Sequence, residues 1–161
     1  MKNICIFVAI LLVIVTIIVF VLLKFDQDEK DIKLSNIEKL DFYYTQGYMV
    51  NSDIRYELKC KDECLLTYKP FGIPYEKAKK YKVSSDVVFE IESLLNKYKV
   101  YKWNGFHENN KNVLDGDSFG FYVYMKNGEK IEASGYMSWP DNYGKVKSEF
   151  KSIFDKVITD S

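Results

Sequence analysis

Ser118-Phe119-Gly120-Phe121-Tyr122-Val123-Tyr124-Met125, then Lys126-Asn127-Gly128-Glu129, then Lys130-Ile131-Glu132-Ala133-Ser134-Gly135-Tyr136 is the stretch on which the fold turns. Phe119, Phe121, Val123 and Met125 alternate with Gly120, Tyr122 and Tyr124, which gives a strand with one apolar and one amphipathic face. Asn127-Gly128 predicts a type I′ hairpin, a turn that needs two positive φ angles, and Lys130 to Tyr136 is the return strand. An antiparallel hairpin with one apolar face needs a second layer to cover it. Helical patterns on both sides supply that layer. Upstream, Val87, Val88, Ile91, Leu94, Leu95 and Tyr98 recur on one face behind a cap at Ser84 or Ser85. Downstream, Val146, Phe150, Ile153, Phe154 and Val157 do the same; Pro140 pushes Trp139 extended and Asp141 is placed to cap the helix.

Further strands lie before the first helix. Leu40 to Tyr44 is stopped by Gln46-Gly47. Ile54 to Lys59 pairs with Leu65 to Tyr68 across Lys61-Asp62-Glu63. Pro70, Gly72 and Pro74 interrupt the sheet, and Pro74 is placed to open a short helical turn through Glu76 and Lys79. The fold class is therefore α+β: an antiparallel sheet with two helices packed on one face, occupying residues 40–161, with strand order left open.

Ile4 to Leu23 contains no charge, Gly or Pro. Twenty residues at about 1.5 Å each span about 30 Å, the hydrocarbon thickness of a bilayer. Twelve are Ile, Val or Thr, residues that disfavour a helix in water, but in lipid a single segment must satisfy its own backbone. The run exceeds a signal-peptide core and leaves through Leu22-Leu23-Lys24-Phe25 without small residues, so it is expected to stay as an anchor. Residues 1–23 are read as one N-terminal transmembrane helix and 24–39 as a charged juxtamembrane linker. One lysine precedes the span and four follow it (Lys24, Lys30, Lys33, Lys39), which literally counted puts the domain inside. Large domains translocate largely regardless of charge, and a three-residue tail before a long C-terminal domain favours export. The expected location is the cell membrane, single-pass, with the C-terminal domain extracytoplasmic.

The 161 residues carry 23 basic and 23 acidic side chains. Without residues 1–23, which contribute only Lys2, 22 basic groups face 23 acidic ones. A net of −1 over 138 residues argues against nucleic acid, which needs a clustered basic excess. One arginine, Arg55, leaves almost no bidentate forks for phosphate or carboxylate. Twenty-six aromatics can drive collapse and argue against disorder.

Chemistry-bearing residues are few. Cys60 and Cys64 flank a three-residue turn, where opposed strand positions come within disulfide range; in an exported domain they are read as a bridge, with a pair of ordinary thiols at a strand end as the alternative. A metal site there would need two further ligands in a chain with one histidine. That residue, His107, lies in Gly105-Phe106-His107-Glu108 and reads as a solvated loop side chain. Asp115-Gly116-Asp117 departs from the spacing of a calcium-binding helix-loop-helix and reads as turn chemistry entering the strand. Loops at one end of a hairpin fall together, so 113–118 and 136–141 are expected side by side, opposite Asn127-Gly128. On that basis Trp103, Asp115, Asp117, Tyr136 and Trp139 are the candidate ligand-binding residues. Tyr122 and Tyr124 project together from one sheet face.

Trp103-Asn104-Gly105-Phe106, Leu114-Asp115-Gly116-Asp117-Ser118-Phe119 and Ala133-Ser134-Gly135-Tyr136-Met137-Ser138-Trp139-Pro140-Asp141-Asn142-Tyr143 resemble a family of uncharacterised proteins from Gram-positive, clostridia-like bacteria. Tyr68-Lys69-Pro70-Phe71-Gly72-Ile73-Pro74 extends the resemblance across the soluble domain. It implies a bacterial host and no activity, cofactor or functional residue.

Three classes of function follow. The favoured one is a membrane-anchored cell-surface binding module, contacting the bilayer through residues 4–23 and an envelope glycan or protein through its domain, with no cofactor and no metal. A second is an envelope-acting hydrolase using Asp115, Asp117 and His107. The third is an accessory subunit of a membrane complex. A pocket joining His107 to Asp115 or Asp117 favours the enzyme; a solvent-facing aromatic surface without one favours binding.

Overall fold

The computed structural model describes residues 13–17, 34–45 and 51–159. The chain forms two compact units, residues 1–32 and 33–161. In the first, residues 13–17 are helical, and the Thr16 hydroxyl donates to the Val13 carbonyl at 2.8 Å. The remainder of the expected spanning helix, the Gln46-Gly47 stop and most of the proposed linker lie outside the described residues. Among the described residues no helix is long and apolar enough to cross a membrane.

The second unit is α+β. Its strands are β1 (Ile37–Thr45), β2 (Asp53–Cys60), β3 (Cys64–Lys69), β4 (Lys79–Val83), β5 (His107–Asn109), β6 (Ser118–Met125) and β7 (Lys130–Tyr136). They form one sheet in the order β4-β3-β2-β1-β6-β7-β5, antiparallel except where β5 runs parallel to β7. Helices α1 (Ser85–Lys97) and α2 (Tyr143–Thr159) bury their apolar residues in the core. As expected, Ser84 caps α1, its hydroxyl accepting the Val87 N–H.

The period-two pattern sets the faces. Leu40, Phe42 and Tyr44 of β1 pair with Leu58, Tyr56 and Ile54 on one side and with Val123, Phe121 and Phe119 on the other. These are the core-facing positions. Phe42 lies at their centre, 5.8 Å from the Phe121 ring and 5.7 Å from Phe150 of α2. Tyr56 stacks on Phe154 of α2 at 4.8 Å. Each buried aromatic of this kind contributes about 1.5–3 kcal/mol of transfer free energy, plus a smaller term from ring–ring geometry.

Several expectations are corrected. The domain begins before residue 40: Leu34 and Ile37 are each 1% exposed. Asn96 of α1 accepts the Leu34 N–H and donates to its carbonyl, both at 2.8 Å, while Glu92 accepts the Ile37 N–H at 3.1 Å. A polar helix edge thus holds the entry to β1, an interaction between positions 62 residues apart that local pattern cannot reveal. The Asn127-Gly128 hairpin is not a type I′ turn, because only Gly128 has positive φ (+87°). Met125 accepts from Gly128 N–H and donates to the Glu129 carbonyl, both at 2.9 Å, closing a three-residue loop with a left-handed glycine at its end. The Asn127 side chain is used instead to accept the Glu129 N–H.

The helical turn after Pro74 is confined to Tyr75–Lys77, and Lys79 opens β4 instead. Tyr81 and Val83 at period two were the available signal for that strand; its lysines suit a sheet edge, where charge discourages further pairing. The strand at His107 takes its bonds from β7, a non-local partner. Finally, α2 opens at Tyr143, after Asn142 in the left-handed region (φ 61°), rather than directly behind Asp141.

Candidate functional site

The start of α2 makes the candidate site. Pro140 and the left-handed Asn142 turn the chain sharply out of the segment after β7. That turn places Trp139 beside Tyr143 in the first turn of the helix, rings stacked at 4.9 Å and 18°. Trp139 also meets Phe119 of β6 at 5.6 Å, so its indole is held on one side by the core while the residue remains 39% exposed.

A cleft opens on each side of this indole. One, about 700 Å³, lies between α2, the end of β1 and the start of β6, and is lined by Tyr44, Thr45, Asp117, Ser118, Asn142, Tyr143 and Lys147 among others. The other, about 540 Å³, has Trp103 and Phe106 at its base and Lys97, Lys99 and Lys102 around it.

In the larger cleft the Lys147 ammonium lies 3.8 Å from the centroid of the Tyr44 ring. Burial holds that ammonium below the usual lysine range, with Asp117 opposing the shift. Thr45 and Ser118 hydroxyls bond each other at 2.7 Å, and Thr45 Oγ1 also accepts the Ser118 N–H at 3.0 Å, tying the end of β1 to the start of β6. Tyr143 is 8% exposed, and its buried hydroxyl has no hydrogen-bond partner among the described residues. Burial, then the fields of Tyr44 and Asp117, push that phenol above its usual range.

The five candidate residues part company. Loops 113–118 and 136–141 do meet: Met137 N–H donates to the Asp117 carbonyl at 2.9 Å, and Asp117 N–H points at the Met137 sulfur at 3.2 Å. Asp117 and Trp139 therefore share the larger cleft. Trp103 is a core residue, 3% exposed, edge-on to Phe121 at 5.2 Å, with its indole N–H donated to the Asp141 carbonyl at 3.0 Å. Tyr136 faces the other side of the sheet, opposite Ser118. Asp115 is exposed in the loop. Tyr44, Tyr143 and Lys147 were missed. Positions 143 and 147 are four apart on a helix and so share a face, which was the available signal.

The sheet surface away from the helices carries a polar network. Arg55 forms a bidentate pair with Asp41, and its guanidinium lies 5.3 Å from the Tyr43 ring centroid and 5.5 Å from that of Tyr75. Glu57 accepts the Tyr75 hydroxyl at 2.9 Å and the Lys59 ammonium at 3.0 Å. Tyr43 stacks with Tyr122 across β1 and β6, and burial followed by a hydrogen bond with Tyr122 raises its phenol to about 12. Gly120 makes room for this, since a Cβ there would run into the Tyr43 ring. His107 Nδ1 bonds the Ser134 hydroxyl at 2.8 Å on this same face, and neither cleft beside Trp139 is lined by His107. Cys60 and Cys64 are joined by a disulfide, S–S 2.02 Å. Among the described residues no group of His, Cys, Asp and Glu is arranged to hold a metal.

Compared with known proteins, the chain matches no family model and no curated protein.

Proposed function

We propose that this is a single-pass membrane protein in which residues 4–23 anchor an extracytoplasmic binding module, and that the module takes an envelope glycan at Trp139. The observation that carries the reading is an indole stacked on Tyr143, backed by Phe119, and still 39% exposed between two clefts. A ring fixed before binding loses little freedom when a sugar stacks on it, and nearby carboxylate and amide groups suit hydroxyls. The Cys60–Cys64 disulfide fits an oxidising compartment, which supports the domain lying outside. Binding is favoured over hydrolysis because His107 is engaged with Ser134 on the open sheet face whereas Asp117 lines the cleft at α2.

The test is a fluorescence titration of the full chain in detergent with soluble envelope oligosaccharides. Trp103 and Trp139 are the only indoles, so a Trp139→Phe variant separates their signals. Saturable quenching that is lost in Trp139→Ala, with an unchanged urea midpoint, is the expected result. Absence of saturable binding, or full affinity in Trp139→Ala, overturns the assignment. The anchor is tested separately: protein extracted from its own membrane should begin at the first residues, and an N-terminus near residue 25 refutes anchoring.

A further inference from the structure

Resting on the binding reading above, we infer that the cleft at the first turns of α2 selects a saccharide bearing one acidic group, which sits against Lys147 and Tyr143 while a sugar ring stacks on Trp139. Three separate observations converge there. The Lys147 ammonium contacts the face of the Tyr44 ring, 3.8 Å from its centroid, in surroundings that already disfavour its charge. An anion brought beside such a cation restores favourable surroundings to it, and gains more than it would from a lysine in open water.

Tyr143 provides the second observation. Its hydroxyl is buried without a partner among the described residues, yet the residue lines the same cleft and lies in the field of Tyr44 and Asp117, which line it too. A buried hydroxyl without a partner is a donor in reserve, and a ligand oxygen that reaches it makes the missing bond. Third, the cleft faces the N-terminal end of a 17-residue helix, where the backbone dipole favours negative charge. Asp117 and Asp141 also line the cleft. Their carboxylates accept ligand hydroxyls and repel a second anion, which favours a hydroxyl-rich ring with a single acid over a polyanion.

The experiment titrates the full chain in detergent with three oligosaccharides of the same ring size, one neutral, one carrying a uronic carboxylate and one a phosphate. At least one acidic form should bind about tenfold tighter than the neutral one, the gain of a charge-assisted contact; which of the two wins identifies the acid. Lys147→Gln should abolish that preference. Tyr143→Phe should weaken the acidic ligand several-fold while the urea midpoint holds or rises, because the variant removes an orphan hydroxyl. Equal affinity for neutral and acidic sugars, or a preference that survives Lys147→Gln, overturns the inference and leaves the Trp139 reading standing. Failure of all three sugars to bind overturns both. A Tyr143→Phe variant with a lower midpoint and unchanged affinity removes the hydroxyl from the site.

Discussion

Replacing Arg55 with Met keeps most of the aliphatic stem and removes the guanidinium. Its partner Asp41 has a side chain only 7% exposed, lying between β2 and β6 on the open face of the sheet. The variant leaves that carboxylate desolvated and stripped of a bidentate pair. Removing one member of a buried pair costs about 3–5 kcal/mol. Arg55 itself is 32% exposed, so water can enter the vacated space and satisfy part of the charge. The Tyr43 and Tyr75 rings also lose a cation. These effects place the loss at about 2–4 kcal/mol, lower than for a sealed pair. Urea unfolding of the full chain followed by circular dichroism measures it: with m about 1–2 kcal/mol/M, the midpoint should fall by roughly 1–4 M. The double variant Asp41→Asn/Arg55→Met should recover at least half of the loss, since position 41 then carries no unpaired charge. A loss under about 1 kcal/mol in Arg55→Met, the range of an exposed ion pair, would refute the buried-network account.

Leu34→Ala should cost about 2–5 kcal/mol by the same measurement, because a side chain 1% exposed leaves a cavity behind; a linker residue would change stability by less than about 0.5 kcal/mol. Glu57 is pushed up by burial, yet Lys59 and the Tyr75 hydroxyl hold its carboxyl below the usual value of 4.5. Its stabilising contribution is therefore present above the unfolded-state pKa and lost as pH falls through the lower folded-state value. Across a urea-midpoint series from about pH 6 to pH 3, the gap between the native chain and Glu57→Gln should narrow as acid is added, and a constant gap would contradict the assignment. The Cys60–Cys64 bridge closes a very short loop, so reduction should cost about 2 kcal/mol or less; an impermeant maleimide applied to intact cells should label neither thiol before reductant and both after it.

Local pattern and tertiary packing divided the description of this protein between them. Alternation in 118–125 and 130–136 and the helical face from Val146 to Val157 were legible because period two and period 3.6 are properties of neighbouring residues. Ser84 was legible as a cap for the same reason. The anchor expectation rests on twenty consecutive uncharged side chains. Strand order was not legible, because β1 pairs with β6 through contacts 79 residues apart at Phe42–Phe121, and no pattern along the chain encodes which hydrophobic strand another will meet. The entry to β1 escaped as well, since Leu34 is held by Asn96 and Ile37 by Glu92 of a distant helix. The same holds for the site. Asp117 and Trp139 could be brought together from hairpin logic alone, but the burial of Trp103 and the sheet between Trp139 and Tyr136 required the packed layers. Lys147 over Tyr44, and a tyrosine hydroxyl enclosed without a partner, exist only where α2 crosses the end of β1. Charge, hydroxyl and ring are one-dimensional facts; their desolvation is a property of the assembled fold.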